Sequence, residues 1–338
     1  MMRATVCVLA FSAAVLACGG TPASPTPAQT TPVTTTPQPG ATGCARTSVG
    51  LTPLDDLAGG TYKGLQGGLY PGGSRVMPGF HQSAGLAIAR AIGPLDSDGR
   101  ASAAGRYVLI SIGMSNTTQE FSQFKPMADA DASKDPRLAI VDGAQGGVTA
   151  LQWINPACPC WATIDARLQS AGVSARQVVT AWIKLADAQP SEGWPAYAER
   201  LRQETVTVLQ IAKSRYPNLQ LAYLSSRIYA GYATSSLNPE PYAYESGFSV
   251  KWTIEDQIDG SPGLQFEPVT SARAPWIAWG PYLWADGTKP RSDGLTWACS
   301  ELSASDGTHP STTGRQKVAQ ALLSFVKTDP TAREWFAR

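Results

Sequence analysis

Tyr107-Val108-Leu109-Ile110-Ser111-Ile112-Gly113-Met114-Ser115-Asn116 is the stretch whose reading decides the fold. It is an apolar run that ends in a glycine and then a serine opening a polar segment. A short continuous apolar run of this kind predicts a strand buried on both faces. The serine after it reads as the first residue of a helix, at the rim of a sheet.

Four further apolar runs repeat the pattern, at Leu138–Val141, Val178–Lys184, Gln220–Ser225 and Trp276–Trp279. Helical patterns lie between and after them, at Thr117–Ala130, Ala162–Ala171, Pro195–Arg215, Tyr242–Ile258 and Thr312–Thr328. In the last of these, Val318, Leu322 and Phe325 recur at helical spacing. Alternation of strand and helix predicts an α/β protein with three layers, α/β/α, around a parallel sheet of about five strands. A ligand site is then expected beyond the carboxyl ends of the strands. Residues 44–106 are rich in glycine and proline, as in Gly59-Gly60, Gly67-Gly68 and Pro71-Gly72-Gly73, and read as an irregular extension packed on the domain of residues 107–338. A structural or surface role is expected for His81 within it.

Two segments carry chemistry. Ser115 at a helix N-terminus sits where backbone N–H groups favour developing negative charge, which suits a nucleophile, although serine is also a common helix cap. Ser305-Asp306-Gly307-Thr308-His309-Pro310-Ser311 places a carboxylate three residues before a histidine in a loop shaped by Gly and Pro. Asp306 can orient the imidazole of His309 while its other nitrogen faces a serine. His309 is one of only two histidines in the chain.

Together these segments resemble the SGNH/GDSL hydrolase family, in which a serine follows the first strand and an Asp-x-x-His-Pro loop precedes the last helix. The resemblance spans about Tyr107 to Val326 and rests on four short blocks. It implies a flavodoxin-like sheet, with Ser115 as nucleophile, His309 as general base and then acid, and Asp306 as the carboxylate that holds it. The family's second block looks like Asp142-Gly143-Ala144-Gln145-Gly146-Gly147, implying an oxyanion hole from the N–H groups of Ser115 and Gly147, with Gly146 the alternative. The third block, Gly-x-Asn-Asp, reads here as Lys184-Leu185-Ala186-Asp187. Ala186 has no side-chain donor to offer, so Lys184 is the expected substitute, or else a structural lysine paired with Asp187.

The N-terminus has Arg3 and then an apolar run from Ala4 to Ala17, too short to span a bilayer and right for a signal peptide. Val15-Leu16-Ala17-Cys18-Gly19 resembles a bacterial lipobox, so residues 1–17 are expected to be removed and Cys18 lipidated; an ordinary secretory signal with a chance cysteine is the alternative. Residues 18–43, almost all Thr, Pro, Ala, Gln, Ser and Gly, read as a tether. Export to the cell envelope, with the membrane as partner through the lipid, follows. The exported part keeps Cys44, Cys158, Cys160 and Cys299, enough for two disulfides in an oxidising compartment. A bridge across Pro159 would be strained, so Cys158 and Cys160 are each expected to reach Cys44 or Cys299.

Hydrophobic residues make up 43% of the chain and charged residues 16%, with a formal net charge of +1. That leaves no basic footprint for nucleic acid. The expected chemistry calls for neither metal nor cofactor. Asp187, Arg227, Tyr229, Trp279 and Tyr282 would flank the site, where flat aromatic faces suit sugar rings, although buried packing is the commoner use of such residues. The expectation is therefore an esterase acting on a small-molecule or carbohydrate ester, an acetylated carbohydrate first. A catalytically weak or inactive ligand-binding lipoprotein is the rival, on account of Ala186.

Overall fold

Five strands form one parallel sheet in the computed structural model, which describes residues 43–268 and 271–337. They are β3 (Tyr107–Gly113), β4 (Leu138–Val141), β5 (Val178–Lys184), β6 (Leu221–Ser225) and β7 (Trp276–Trp279), every residue of them buried. Burial on both faces is why the strands read as apolar runs, interrupted by a polar side chain only at Ser111, Thr180, Lys184 and Ser225. The spatial order is β4-β3-β5-β6-β7, and every neighbouring pair is parallel. This is the doubly wound, flavodoxin-like order, whose direction of winding reverses beside β3. The α/β fold and its strand positions agree with expectation, helix boundaries differing by a few residues at most.

One helical layer is built from α3 (Ser115–Asp129), which packs on α8 (Thr312–Thr328), and α8 in turn on α9 (Pro330–Phe336). On the other face α6 (Ala196–Arg215) packs on α7 (Tyr242–Ile258) and on the single turn α4 (Ala150–Trp153), and α5 (Pro159–Ser170) carries the chain from β4 to β5. No helix among the described residues is long and apolar enough to cross a membrane.

The segment before β3 departs from the irregular backbone expected of it. It has a single turn α1 (Leu54–Leu57), an antiparallel pair β1 (Thr61–Tyr62) and β2 (Leu65–Gln66), and a regular helix α2 (Gly79–Ala91) packed on α9. Glycine within α2 masks the helical pattern, and Gly85 has a packing reason: a Cβ there would collide with the Trp276 indole. His81 on this helix is buried, stacked on Trp276 with its Nε2 2.9 Å from the Ile277 carbonyl. Burial holds its pKa below the ordinary histidine value.

The disulfides pair differently from expectation. Cys44 joins Cys299, and Cys158 joins Cys160. Cys158 caps α5 and Cys160 lies in its first turn, so the helix start folds the two Cα atoms to 5.2 Å, inside the range a disulfide spans. Residues 1–17, Cys18 and the tether to residue 42 lie outside the described residues.

Candidate active site

Ser115 is the first residue of α3, directly beyond β3, and its N–H therefore has no partner within the helix. Gly113 makes this abrupt strand-to-helix join possible, since a Cβ there would collide with the Lys184 carbonyl and the Thr117 side chain. The join is pinned from the neighbouring loop: Gln145 N–H and Trp153 Nε1–H both donate to the Gly113 carbonyl. Asp142 accepts from the hydroxyls of Ser111 and Thr118, each at 2.5 Å, tying the loop after β4 to both β3 and α3.

The loop before α8 brings Asp306 and His309 to the same edge. Ser115 Oγ lies 2.7 Å from His309 Nε2, and His309 Nδ1 lies 2.7 Å from Asp306 Oδ2. The other carboxylate oxygen, Oδ1, accepts the backbone N–H groups of Thr308 and His309, which fixes the loop around the histidine. Partial burial works against ionisation of Asp306, but these N–H groups and the imidazole outweigh it and hold the carboxyl below its ordinary pKa. The arrangement can take a proton from Ser115 and stabilise the resulting imidazolium.

A cleft of about 260 Å³ opens beside Ser115 and His309. Gly147 lines it, as do Met114, Asn116, Ala186, Asp187 and Arg227. Gly146 and Gly147 are both exposed with N–H groups that have no acceptor among the described residues, and of the two it is Gly147 that lines the cleft.

Lys184 is not the substitute donor expected of it. Its ammonium is fully buried, 2.6 Å from both carboxylate oxygens of Glu120 on α3, and it does not line the cleft. Nor does it pair with Asp187. Burial pushes the Lys184 pKa down to about 8, with Glu120 opposing, and burial likewise raises the Glu120 carboxyl. Asp187 lines the cleft with both oxygens engaged, Oδ1 by the Leu151 N–H and Oδ2 by Arg200 at 2.6 Å.

The aromatic candidates are elsewhere. Tyr229 is buried and donates its hydroxyl to the Arg46 carbonyl, Trp279 Nε1–H donates to Leu69 O, and the Tyr282 hydroxyl accepts the Leu54 N–H. None of the three lines the cleft. The segment that precedes α2 packs against all three through those hydrogen bonds, at Arg46, Leu54 and Leu69.

Sequence reading missed Glu120, Asn116 and Asn238. Glu120 stands among Thr117, Phe121, Phe124 and Ala128 on the buried stripe of α3, a charge at a core position that signals a partner. Asn116 Nδ2 donates to Thr308 O, joining the residue after Ser115 to the residue before His309. Asn238 also lines the cleft, with its amide N–H groups directed to Asp187 O and the Tyr197 hydroxyl.

No protein-family model matches the chain, and no curated protein matches it in sequence. Solved structures with partial likeness include the salicylyl-acyltransferase SsfX3 from a tetracycline biosynthetic pathway, at 13% identity and TM-score 0.37, covering 69% of this chain and 58% of that one. A gut microbial diltiazem-metabolizing enzyme is similar at 14% identity and TM-score 0.36, over 70% of this chain and 48% of its own. The periplasmic domain of a lipopolysaccharide acetyltransferase from Salmonella ser. Paratyphi A is similar at 11% identity and TM-score 0.35, over 72% and 92%. The chain thus spans about half the length of the first two.

Proposed function

We propose that this protein is an extracytoplasmic serine esterase that hydrolyses carboxylic esters through an acyl-enzyme. The observation that carries the reading is the chain of two 2.7 Å contacts from Ser115 through His309 to Asp306, at the carboxyl edge of the sheet and open to a cleft. In this reading Ser115 Oγ attacks the ester carbonyl as His309 Nε2 takes its proton, and Asp306 stabilises the imidazolium. The N–H groups of Ser115 and Gly147 receive the oxyanion. His309 then protonates the leaving alcohol, and water, activated by the same imidazole, releases the acid.

The cleft has room for an acetyl group together with the adjoining part of the alcohol, a carbohydrate in the fullest form of the reading, which would extend toward the rim. Tyr229, Trp279 and Tyr282, which do not line the cleft, lend no support to a sugar as that alcohol. Attachment to the cell envelope through lipidated Cys18 and the tether, ahead of a hydrolase domain from residue 107, completes the proposal.

Fluorophosphonate labelling tests it, because only an activated serine reacts. Wild type should be labelled and should hydrolyse a model acetyl ester. Folded Ser115→Ala and His309→Ala should each lose turnover by a factor on the order of a thousand or more. Hydrolysis at the wild-type rate by folded Ser115→Ala would overturn the mechanism. Ala186 favours the rival of a ligand-binding protein without turnover, for which wild type would not be labelled.

A further inference from the structure

Arg227 lies two residues beyond β6, as Ala186 lies two beyond the neighbouring β5, and both line the cleft. It is 2% exposed and lines the Ser115 cleft. A buried guanidinium is ordinarily paired with a carboxylate, because removing a charge from water is costly without a partner. Arg227 has no ion pair among the described residues. Its Nε finds no acceptor, Nη1 makes no hydrogen bond, and Nη2 only reaches Thr308 O at 3.5 Å.

The nearby carboxylates are all occupied. Glu120 is held by Lys184, Glu240 accepts the Ala230 and Tyr244 N–H groups and Trp284 Nε1–H, Asp306 holds His309, and Asp187 holds Arg200. Lys184 and Glu120 cancel, and Glu240, whose oxygens take only neutral N–H groups, offsets the charge of Arg227 from a distance without touching it, so the guanidinium N–H groups keep no anionic acceptor among the described residues while the side chain lines the cleft. Arg227 Nη2 and Asn116 Nδ2 converge on the same Thr308 carbonyl, so the guanidinium lies close behind the Ser115–His309 pair.

We propose that Arg227 is the receptor for a carboxylate carried by the substrate, so that the preferred esters are those of a hydroxy acid or acidic sugar whose carboxylate lies within a few bonds of the scissile ester. This rests on the esterase reading with a small acyl group, which assigns the carboxylate to the alcohol part. Fork-like N–H geometry suits a planar carboxylate, and the apolar cleft walls at Met114, Ala186 and Leu237 strengthen the attraction by excluding water. The other anion available to Arg227 is the transient oxyanion of the reaction, and the test separates the two.

The full chain is assayed for acetate release from O-acetyl-lactate and from its neutral isostere O-acetyl-lactamide. Wild type should prefer the acid in kcat/KM by about ten- to a hundredfold, the discrimination expected of one charged hydrogen-bonded contact. Arg227→Gln should bring that ratio to near one, and Arg227→Lys should restore part of it. No preference in wild type, or an equal loss on both esters in Arg227→Gln, overturns the proposal, the second outcome assigning the charge to the oxyanion. Should Arg227→Gln fail to fold, competitive inhibition of wild type by lactate against lactamide decides, and equal inhibition overturns the proposal. Calorimetric titration of Ser115→Ala with the two esters separates this site from the hydrolase reading. Preferential binding of the acid without wild-type turnover keeps the anion site and sinks the esterase; turnover without preference does the reverse.

Discussion

Replacing Lys184 by Met removes the partner of a carboxylate that has no water to turn to. Glu120 would be left inside α3, and the least costly response is to take up a proton. The unfolded-state pKa of a glutamate is about 4.3, so holding it protonated at pH 7 costs about 2.7 units at 1.36 kcal/mol each, about 3.7 kcal/mol. The charge on Arg227 favours the ionised form, which makes this figure a ceiling. Folding then takes up a proton that the unfolded chain releases, so the loss grows as pH rises. At pH 5 the same arithmetic leaves about 1 kcal/mol. For a domain of about 300 residues, the pH 7 loss lowers Tm by roughly 6 °C. Urea denaturation of wild type and Lys184→Met at pH 5 and pH 7 measures the difference directly, and Glu120→Leu combined with Lys184→Met should recover most of it. An equal loss at both pH values would refute the reasoning. So would a fall in kcat with stability unchanged, because the lysine would then be acting on the reacting atoms.

Asp306→Asn should keep the fold and lower kcat on a model ester by about a thousandfold or more, since the amide cannot hold the imidazole in the required tautomer; activity near wild type would remove Asp306 from the mechanism. Asp135, fully buried and clasped by the Arg137 guanidinium, has its pKa pulled down to about 2. Its stabilisation is complete above pH 4 and lost as pH falls toward 2, so Asp135→Asn should lower Tm at pH 7 and narrow the gap to wild type at pH 2.5, as scanning calorimetry would show. Cys18→Ala should move the protein from the detergent-rich to the aqueous phase in cells that process lipoproteins, and unchanged partitioning would end the anchor reading.

The sheet was legible because its strands are buried on both faces, so β3 and β5 are apolar apart from Ser111, Thr180 and the terminal Lys184. The serine and the Asp-x-x-His loop were legible because their spacing is local. Lys184 was not, because its partner Glu120 stands 64 positions away on a helix and sequence gives a charge without its direction. Tyr229, Trp279 and Tyr282 failed for a related reason. Their position at strand ends could be read, but the glycine-rich segment that covers them has no periodicity from which its docking could be foreseen. Arg227 was visible as a cation near the site, and only the structure distinguishes it from a paired one.

The bond between Cys44 and Cys299 spans 255 positions and closes the chain from one to the other into a covalent ring, with the Asp306–His309 loop, α8 and α9 following it. A protease that severs any one peptide link inside that ring opens a loop without separating the pieces. If the chain is held at a surface by its N-terminus, the Ser115 segment and the His309 loop would therefore both survive such a nick still attached. For a cut inside the ring to release either piece, a second chemistry, reduction, would be needed, which an oxidising surrounding withholds.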